Sequence, residues 1–264
     1  MLHNTLQFFI TNKCDKRCKG CFYASSLGAE HMGFDDYRRS LDKYDWRSES
    51  GVKATKVILL GGEPTLHPRI ADFVNEALSR CMGVTVYTNG AKLDALESSP
   101  GATVRIGVLG HKTGEKALAG IEPPRYPVAI VYMLRQDNVA ELDAAVKDAE
   151  DRFDCKYFML SSIRDIAATG SYWKDTPETL SAAQYKDVAE GFLDRYIGNL
   201  DIHVANRGIY AGCGHARCRF LNIYPDGQCT LCPFDISLGI KDDPKNFGRQ
   251  CNKHCECLLQ KHVV

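Results

Sequence analysis

The run Cys14-Asp15-Lys16-Arg17-Cys18-Lys19-Gly20-Cys21 decides how the rest of this chain is read. Its cysteines stand at the spacing C-x3-C-x2-C. A cubane cluster of four irons needs one protein thiolate for each iron that it ties to the chain. Three thiolates in one short loop leave one iron open to a substrate or cofactor, a position that a fully ligated electron carrier lacks. A zinc knuckle would want a fourth ligand, usually in a paired C-x2-C arrangement.

Working outward, Leu6 to Thr11 reads as a first strand that ends just before the loop. Ala54 to Leu60, Gly83 to Thr88, Val104 to Leu109, Val128 to Leu134 and Lys156 to Leu160 read as five more. Helical patterns lie between them at Phe34 to Lys43, Arg69 to Arg80, Asn138 to Asp151 and Ser181 to Ile197, with a short one at Lys92 to Glu97. Ile70, Phe73, Val74, Ala77 and Leu78 share one face of the second helix. Ala183, Val188, Phe192, Leu193 and Tyr196 are the expected core contacts of the last. Strand alternating with helix implies an α/β fold with a parallel sheet. Six such units predict a partial (β/α)6 TIM-like barrel, whose chemistry gathers at the C-terminal ends of the strands. The cysteine loop and the turn Gly61-Gly62-Glu63-Pro64 both fall there. Glycines let the backbone approach a ligand, and Glu63 offers a carboxylate to an ammonium group.

With these elements in place, the cysteine spacing resembles that of the radical S-adenosylmethionine (SAM) superfamily. The Gly61-Gly62-Glu63-Pro64 turn matches the family's GGEP motif, which by that resemblance holds the amino group of SAM. The resemblance implies a [4Fe–4S] cluster on Cys14, Cys18 and Cys21, completed by SAM. It also makes Thr88 and Asn89, at the end of the third strand, candidate cofactor-pocket residues. The chain departs from the family in two places. Gly107-Val108-Leu109-Gly110-His111 lacks the Ser-x-Asp-Gly often found on the fourth strand. Gly20 stands where a large apolar residue is common, so Phe22 or Tyr23 is expected to cover the cluster or the adenine instead.

From about Asp201 cysteine, Gly and Pro become dense, which places a boundary near 200. Residues 1–200 read as the core and 201–264 as a small metal-stapled domain, since so short a segment hardly folds without staples. Of twelve cysteines, seven lie between 213 and 257. In a reducing cytosol such clustering points to metal ligation rather than disulfides. Cys81 and Cys155 stand apart and read as buried small residues. Alternation from Phe220 to Tyr224, the turn Pro225-Asp226-Gly227 and the run Gln228 to Leu231 predict a β-hairpin. A hairpin would bring Cys218 and Cys232 together. Gly227-x4-Cys232 resembles the signature of the SPASM and twitch extensions of radical SAM enzymes. That resemblance implies a second, auxiliary [4Fe–4S] cluster on Cys213, Cys218 and Cys232, closed by Cys255 or Cys251; Cys229 and Cys257 remain open. Structural zinc is the alternative.

Lys+Arg and Asp+Glu balance at 33 each, and no apolar run approaches a membrane span. The expectation is a cytoplasmic protein that engages neither nucleic acid nor membrane. By resemblance, it cleaves SAM reductively to a 5′-deoxyadenosyl radical that takes a hydrogen atom from a small-molecule or peptide substrate. The electron would come from a donor such as flavodoxin or ferredoxin, and the auxiliary cluster would support net oxidation or radical rearrangement. Few residues precede Cys14, which argues against a leader-binding domain and toward a small molecule, or a peptide delivered by a separate protein. Two rivals stand: an activase installing a glycyl radical on a partner enzyme, and a non-catalytic iron–sulfur or zinc protein. His111, Arg135, Asp137, Arg164 and Asp165 lie near strand ends and read as loop charges or salt bridges.

Overall fold

The computed structural model describes residues 4–18, 21, 23–44, 54–112, 114, 116–162, 180–205 and 220–230. They form two compact units.

The first unit is a sheet in the order β3-β2-β1-β8-β9, from β1 (Asn4–Thr11), β2 (Ala54–Gly61), β3 (Gly83–Thr88), β8 (Phe220–Ile223) and β9 (Cys229–Thr230). β1 runs parallel to both neighbours, Phe8 facing Leu59 on β2 and Ile223 on β8. Leu6, Phe8, Phe9 and Ile10 are all fully buried, so this strand is apolar on both faces. That pattern belongs to a parallel strand covered on two sides. α1 (Phe34–Tyr44) carries Asp35 and Asp36 in its first turn and Lys43 in its last, the charge order that the helix dipole favours. Its buried stripe is Tyr37, Leu41 and Tyr44. The Tyr37 ring meets Phe8 edge-on at 4.6 Å, and its hydroxyl donates to Phe73 O of α2 (Ile70–Ser79) at 2.9 Å.

α2 buries Ile70, Phe73, Val74 and Ala77, the face expected from its periodicity. It ends unusually. Cys81 N–H bonds to Leu78 O and Met82 N–H to Ala77 O, the double reversal of a Schellman motif. Cys81 holds the left-handed position with φ of 60°, and it is exposed rather than buried as expected. The turn geometry pushes the side chain outward while Met82 takes the interior place. A side chain at that φ costs about 1–2 kcal/mol, which glycine avoids, less its larger entropy when unfolded. Cys81→Gly is therefore expected to raise stability by about 0.5–1 kcal/mol in urea unfolding; a loss of stability would contradict this reading of the turn.

The hairpin β8–β9 turns through Tyr224 to Gln228, with Gly227 at φ of 78° and Gln228 N–H bonded to Asp226 Oδ1 at 3.0 Å. The hairpin itself was expected; its parallel seat on the edge of β1 was not.

The second unit is ordered β7-β6-β5-β4, from β4 (Thr103–Val108), β5 (Val128–Leu134), β6 (Cys155–Ser162) and β7 (Ile202–Val204). The pairs β4–β5, β5–β6 and β6–β7 are all parallel. β7 adds a strand beyond the expected six. At three residues, with His203 in its middle, it carries too little alternation to be read. α3 (Leu142–Arg152) buries Leu142, Ala145, Val146 and Ala149. α4 (Ala182–Arg195) starts with a capping box between Ser181 and Gln184. Its buried face centres on Tyr185, Ala189 and Phe192, whereas Ala183, expected inside, is exposed. Tyr185 sets this rotation: its hydroxyl lies 2.9 Å from Leu160 O and 2.7 Å from Ala205 O.

Parallel strands joined through helices give the α/β fold class, the repeating unit of a partial TIM-like barrel. Among the described residues, no helix is long and apolar enough to cross a membrane.

Candidate functional site

The loops that follow β2 and β3, and most of the loop that follows β1, belong to the first unit; Cys18 falls in the second. The loop after β1 carries Cys14, Cys18 and Cys21, all partly exposed. Lys16 N–H points at Cys14 Sγ at 3.4 Å, and the Arg17 guanidinium closes on Cys14 O and Lys16 O at 2.9 and 2.8 Å. An N–H aimed at a thiolate is one of the contacts that tune an iron–sulfur cluster. Among the described residues, no three His, Cys, Asp or Glu side chains are gathered closely enough to hold a metal ion.

The turn after β2 lies directly against this loop. Gly62 N–H donates to Thr11 O and Glu63 N–H to Lys13 O, each at 2.8 Å. A Cβ on Gly61 would sit 2.4 Å from Thr11 O, and one on Gly62 would sit 2.4 Å from Lys13 O. Gly61 also has φ of 143°, in the region that favours glycine. The structure thus gives both glycines a reason other than the expected ligand approach. They let two stretches of backbone lie in contact, one of them leading into Cys14.

Glu63 is 1% exposed, and four hydrogen bonds fix its carboxylate. Oε1 accepts from Thr65 N–H at 3.0 Å, from the Thr65 hydroxyl at 2.7 Å and from the Thr88 hydroxyl at 2.6 Å. Oε2 accepts from Asn89 N–H at 2.6 Å. Glu63 thereby caps the 3-10 turn Pro64–Leu66, with buried Pro64 opening it. A carboxylate has about four acceptor sites over its two oxygens. Among the described residues Oε1 receives three donors and Oε2 one, so Oε2 keeps room for another. The Oδ1 of Asn89, the residue whose backbone meets Oε2, is buried and has no hydrogen-bond partner among the described residues. A buried carboxylate with an open acceptor site suits an ammonium group, and the unpartnered Asn89 Oδ1 is a second buried acceptor on a residue bonded to that carboxylate. Thr88 faces Glu63 and holds it. Thr65, which sequence reading missed, does the same from the other side. Its only signal was its place two residues after an acid, where a capping side chain accepts from the backbone.

Tyr23 is placed differently from the expectation. It is 1% exposed and stacks on Phe9 at 4.8 Å, and Tyr224 stacks on both rings, 4.5 Å from Phe9 and 6.3 Å from Tyr23. Its hydroxyl donates to Asn12 Oδ1 at 2.6 Å, and burial pushes its phenol well above the ordinary value. The ring packs the core beneath the cysteine loop. His67 sits behind the turn, with Nδ1 accepting from Arg69 N–H at 3.1 Å and Nε2 3.2 Å from Met32 O. Burial holds its pKa below the usual histidine value.

In the second unit the loop charges pair as expected. Arg135 binds Asp137 at 2.7 Å, and His111 Nε2 lies 3.4 Å from Asp148. Cys229 is partly exposed, and burial raises its thiol pKa. Cys213, Cys218, Cys232, Cys251, Cys255, Cys257, Phe22, Arg164 and Asp165 lie outside the described residues.

Residues 8–161, more than half of the chain, match the Radical SAM superfamily. Over 87 residues the chain is 36% identical to the tungsten-containing aldehyde ferredoxin oxidoreductase cofactor-modifying protein of Pyrococcus furiosus, covering 32% of this chain and 23% of that protein. Among solved structures it is similar to Streptococcus suis SuiB bound to precursor peptide SuiA, with TM-score 0.67 and 14% identity over 94% of this chain and 64% of SuiB. It is also similar to anSMEcpe with bound AdoMet and Cp18Cys peptide, with TM-score 0.61 and 14% identity over 87% of this chain and 74% of that one. At such identities the likeness to solved structures is one of fold. The chain spans under a quarter of the Pyrococcus protein and under two thirds of SuiB.

Proposed function

The chain belongs to the radical SAM superfamily, and from that premise we propose an enzyme that abstracts a hydrogen atom from a small-molecule or peptide substrate. The observation that carries this is Glu63, a buried carboxylate with an open acceptor site at the end of β2. Membership implies SAM and one [4Fe–4S] cluster. Cys14, Cys18 and Cys21 would ligate the cluster, and Glu63 with Asn89 Oδ1 would receive the amino group of SAM. Held there, the cluster would supply one electron to break the sulfonium C5′–S bond of SAM, releasing methionine and a 5′-deoxyadenosyl radical.

The protein's own work is positional. Thr65 and Thr88 pin one carboxylate oxygen of Glu63 and leave the other to the ligand. Backbone bonds from Gly62 and Glu63 hold the approach to Cys14 against the same turn. Preorganised acceptors of this kind need no rearrangement when the ligand arrives.

Residues 201–264 are proposed as the auxiliary domain, with β7 continuing the core sheet just past that boundary. Its cluster would rest on Cys213, Cys218 and Cys232, with Cys255 or Cys251 as the fourth thiolate. Four protein thiolates suit an electron acceptor, and hence net oxidation. The peptides bound to SuiB and anSMEcpe support a peptide substrate. A flavodoxin or ferredoxin would deliver the electron, in the cytoplasm.

The test is 5′-deoxyadenosine release from anaerobically reconstituted protein with SAM and dithionite. Slow release is expected from protein carrying about eight irons, the content of two cubane clusters. Stripping the iron with a chelator should end it. Protein fully loaded with iron that neither releases the nucleoside nor binds SAM would overturn the proposal.

A further inference from the structure

Asn89 has two arms. Its backbone N–H binds Glu63 Oε2 at 2.6 Å, and its side-chain Nδ2 binds Asp15 Oδ1 at 2.8 Å. Asp15 directly follows Cys14 in the chain. On the other side of Cys14, Lys13 O accepts from the backbone of Glu63 itself. Cys14 is thus bracketed by two residues, each tied to Glu63, one directly and one through Asn89. Lys13, Asp15 and Arg17 are exposed, so packing does little to fix this stretch. Hydrogen bonds must do it.

We propose that Asp15 is a positioning residue that registers the cysteine loop against Glu63 through Asn89. The inference rests on the reading of Glu63 as the anchor for SAM. A ligand held by both the cysteine loop and the Glu63 carboxylate would meet two anchors on separate strand ends, and misplacement by an ångström is costly to such an arrangement. The Asp15–Asn89 bond sets that spacing. Its carboxylate acceptor makes it stronger than a neutral pair, and its exposure keeps the effect moderate. The same bond occupies the Asn89 amide nitrogen, which leaves its Oδ1 as a buried acceptor without a partner among the described residues.

The test compares Asp15→Ala, Asp15→Asn, Asn89→Ala and the double variant Asp15→Ala/Asn89→Ala in reconstituted full-length protein. Iron content, SAM affinity by calorimetry, and amide exchange of residues 13–17 without SAM are read for each. Asp15→Ala is expected to keep its iron, to bind SAM about five- to tenfold more weakly, and to exchange faster across the loop. Asp15→Asn keeps an acceptor oxygen and should stay within about twofold of the parent. In the Asn89→Ala background, Asp15→Ala should add nothing, because the shared bond is already gone. Unchanged affinity and exchange in Asp15→Ala, additive losses in the double variant, or loss of iron would each overturn the proposal. If the parent protein binds no SAM, the reading of Glu63 has failed, and the exchange comparison still decides whether Asp15 holds the loop.

Discussion

Replacing Cys18 with alanine should abolish 5′-deoxyadenosine release, to below about one part in a hundred of the parent rate, and remove about four of eight irons. A cubane held by two thiolates has two irons without protein ligands, and binding that needs several ligands at once fails steeply when one is removed. The loss should be chemical rather than structural. Cys18 is only partly buried, in a loop, so no core cavity is made. Far-ultraviolet circular dichroism should match the parent. Cys81→Ala is the natural control, since that thiol is exposed at the end of α2. It should leave iron and release unchanged. A Cys18→Ala protein with full iron and undiminished release would place the cluster elsewhere and remove the basis for the proposed chemistry.

Glu63→Gln is expected to weaken SAM binding about a hundredfold, equivalent to about 2.7 kcal/mol. Two effects add. The ammonium loses its counter-charge, in a buried place where water cannot replace it. The amide also cannot satisfy the four donors that converge on the carboxylate. If its NH2 takes the place of Oε1, it faces three donors from Thr65 and Thr88; if it takes the place of Oε2, it faces Asn89 N–H. Either orientation buries a clash between donors, costing about 1–3 kcal/mol of stability. Calorimetry below the unfolding range separates the affinity loss from the stability loss. Parent-like affinity in a folded Glu63→Gln protein would show that the carboxylate serves the turn alone.

Much of this was legible before any coordinates. β3 and β5 have the bounds read from the sequence, because each is a compact apolar run between turn residues. The buried stripe of α2 follows from its spacing, and Glu63 stands out because its glycine turn matches the family's GGEP motif at the end of a strand that follows the cysteine loop, whereas the turn alone would be a weak signal. The misses share one physical cause. Tyr185 rotates α4, β8 docks on β1, and Asp15 meets Asn89 through contacts between residues 20 to more than 200 positions apart. Local pattern carries no trace of such partners. Asp15 in particular looks like any polar residue in a loop. Cys81 misled for a different reason, since its exposure follows from a helix-ending turn whose glycine position a cysteine occupies.

The two glycines before Glu63 alter how such turns should be used as search patterns. Gly61 and Gly62 are required by close contact between the backbone of the turn after β2 and that of residues 11–13. A descendant that had abandoned the chemistry and lost all three cysteines would need them just the same. In scanning genomes, the glycine pair therefore detects shared architecture, and the acid that follows it is the better marker of retained catalysis.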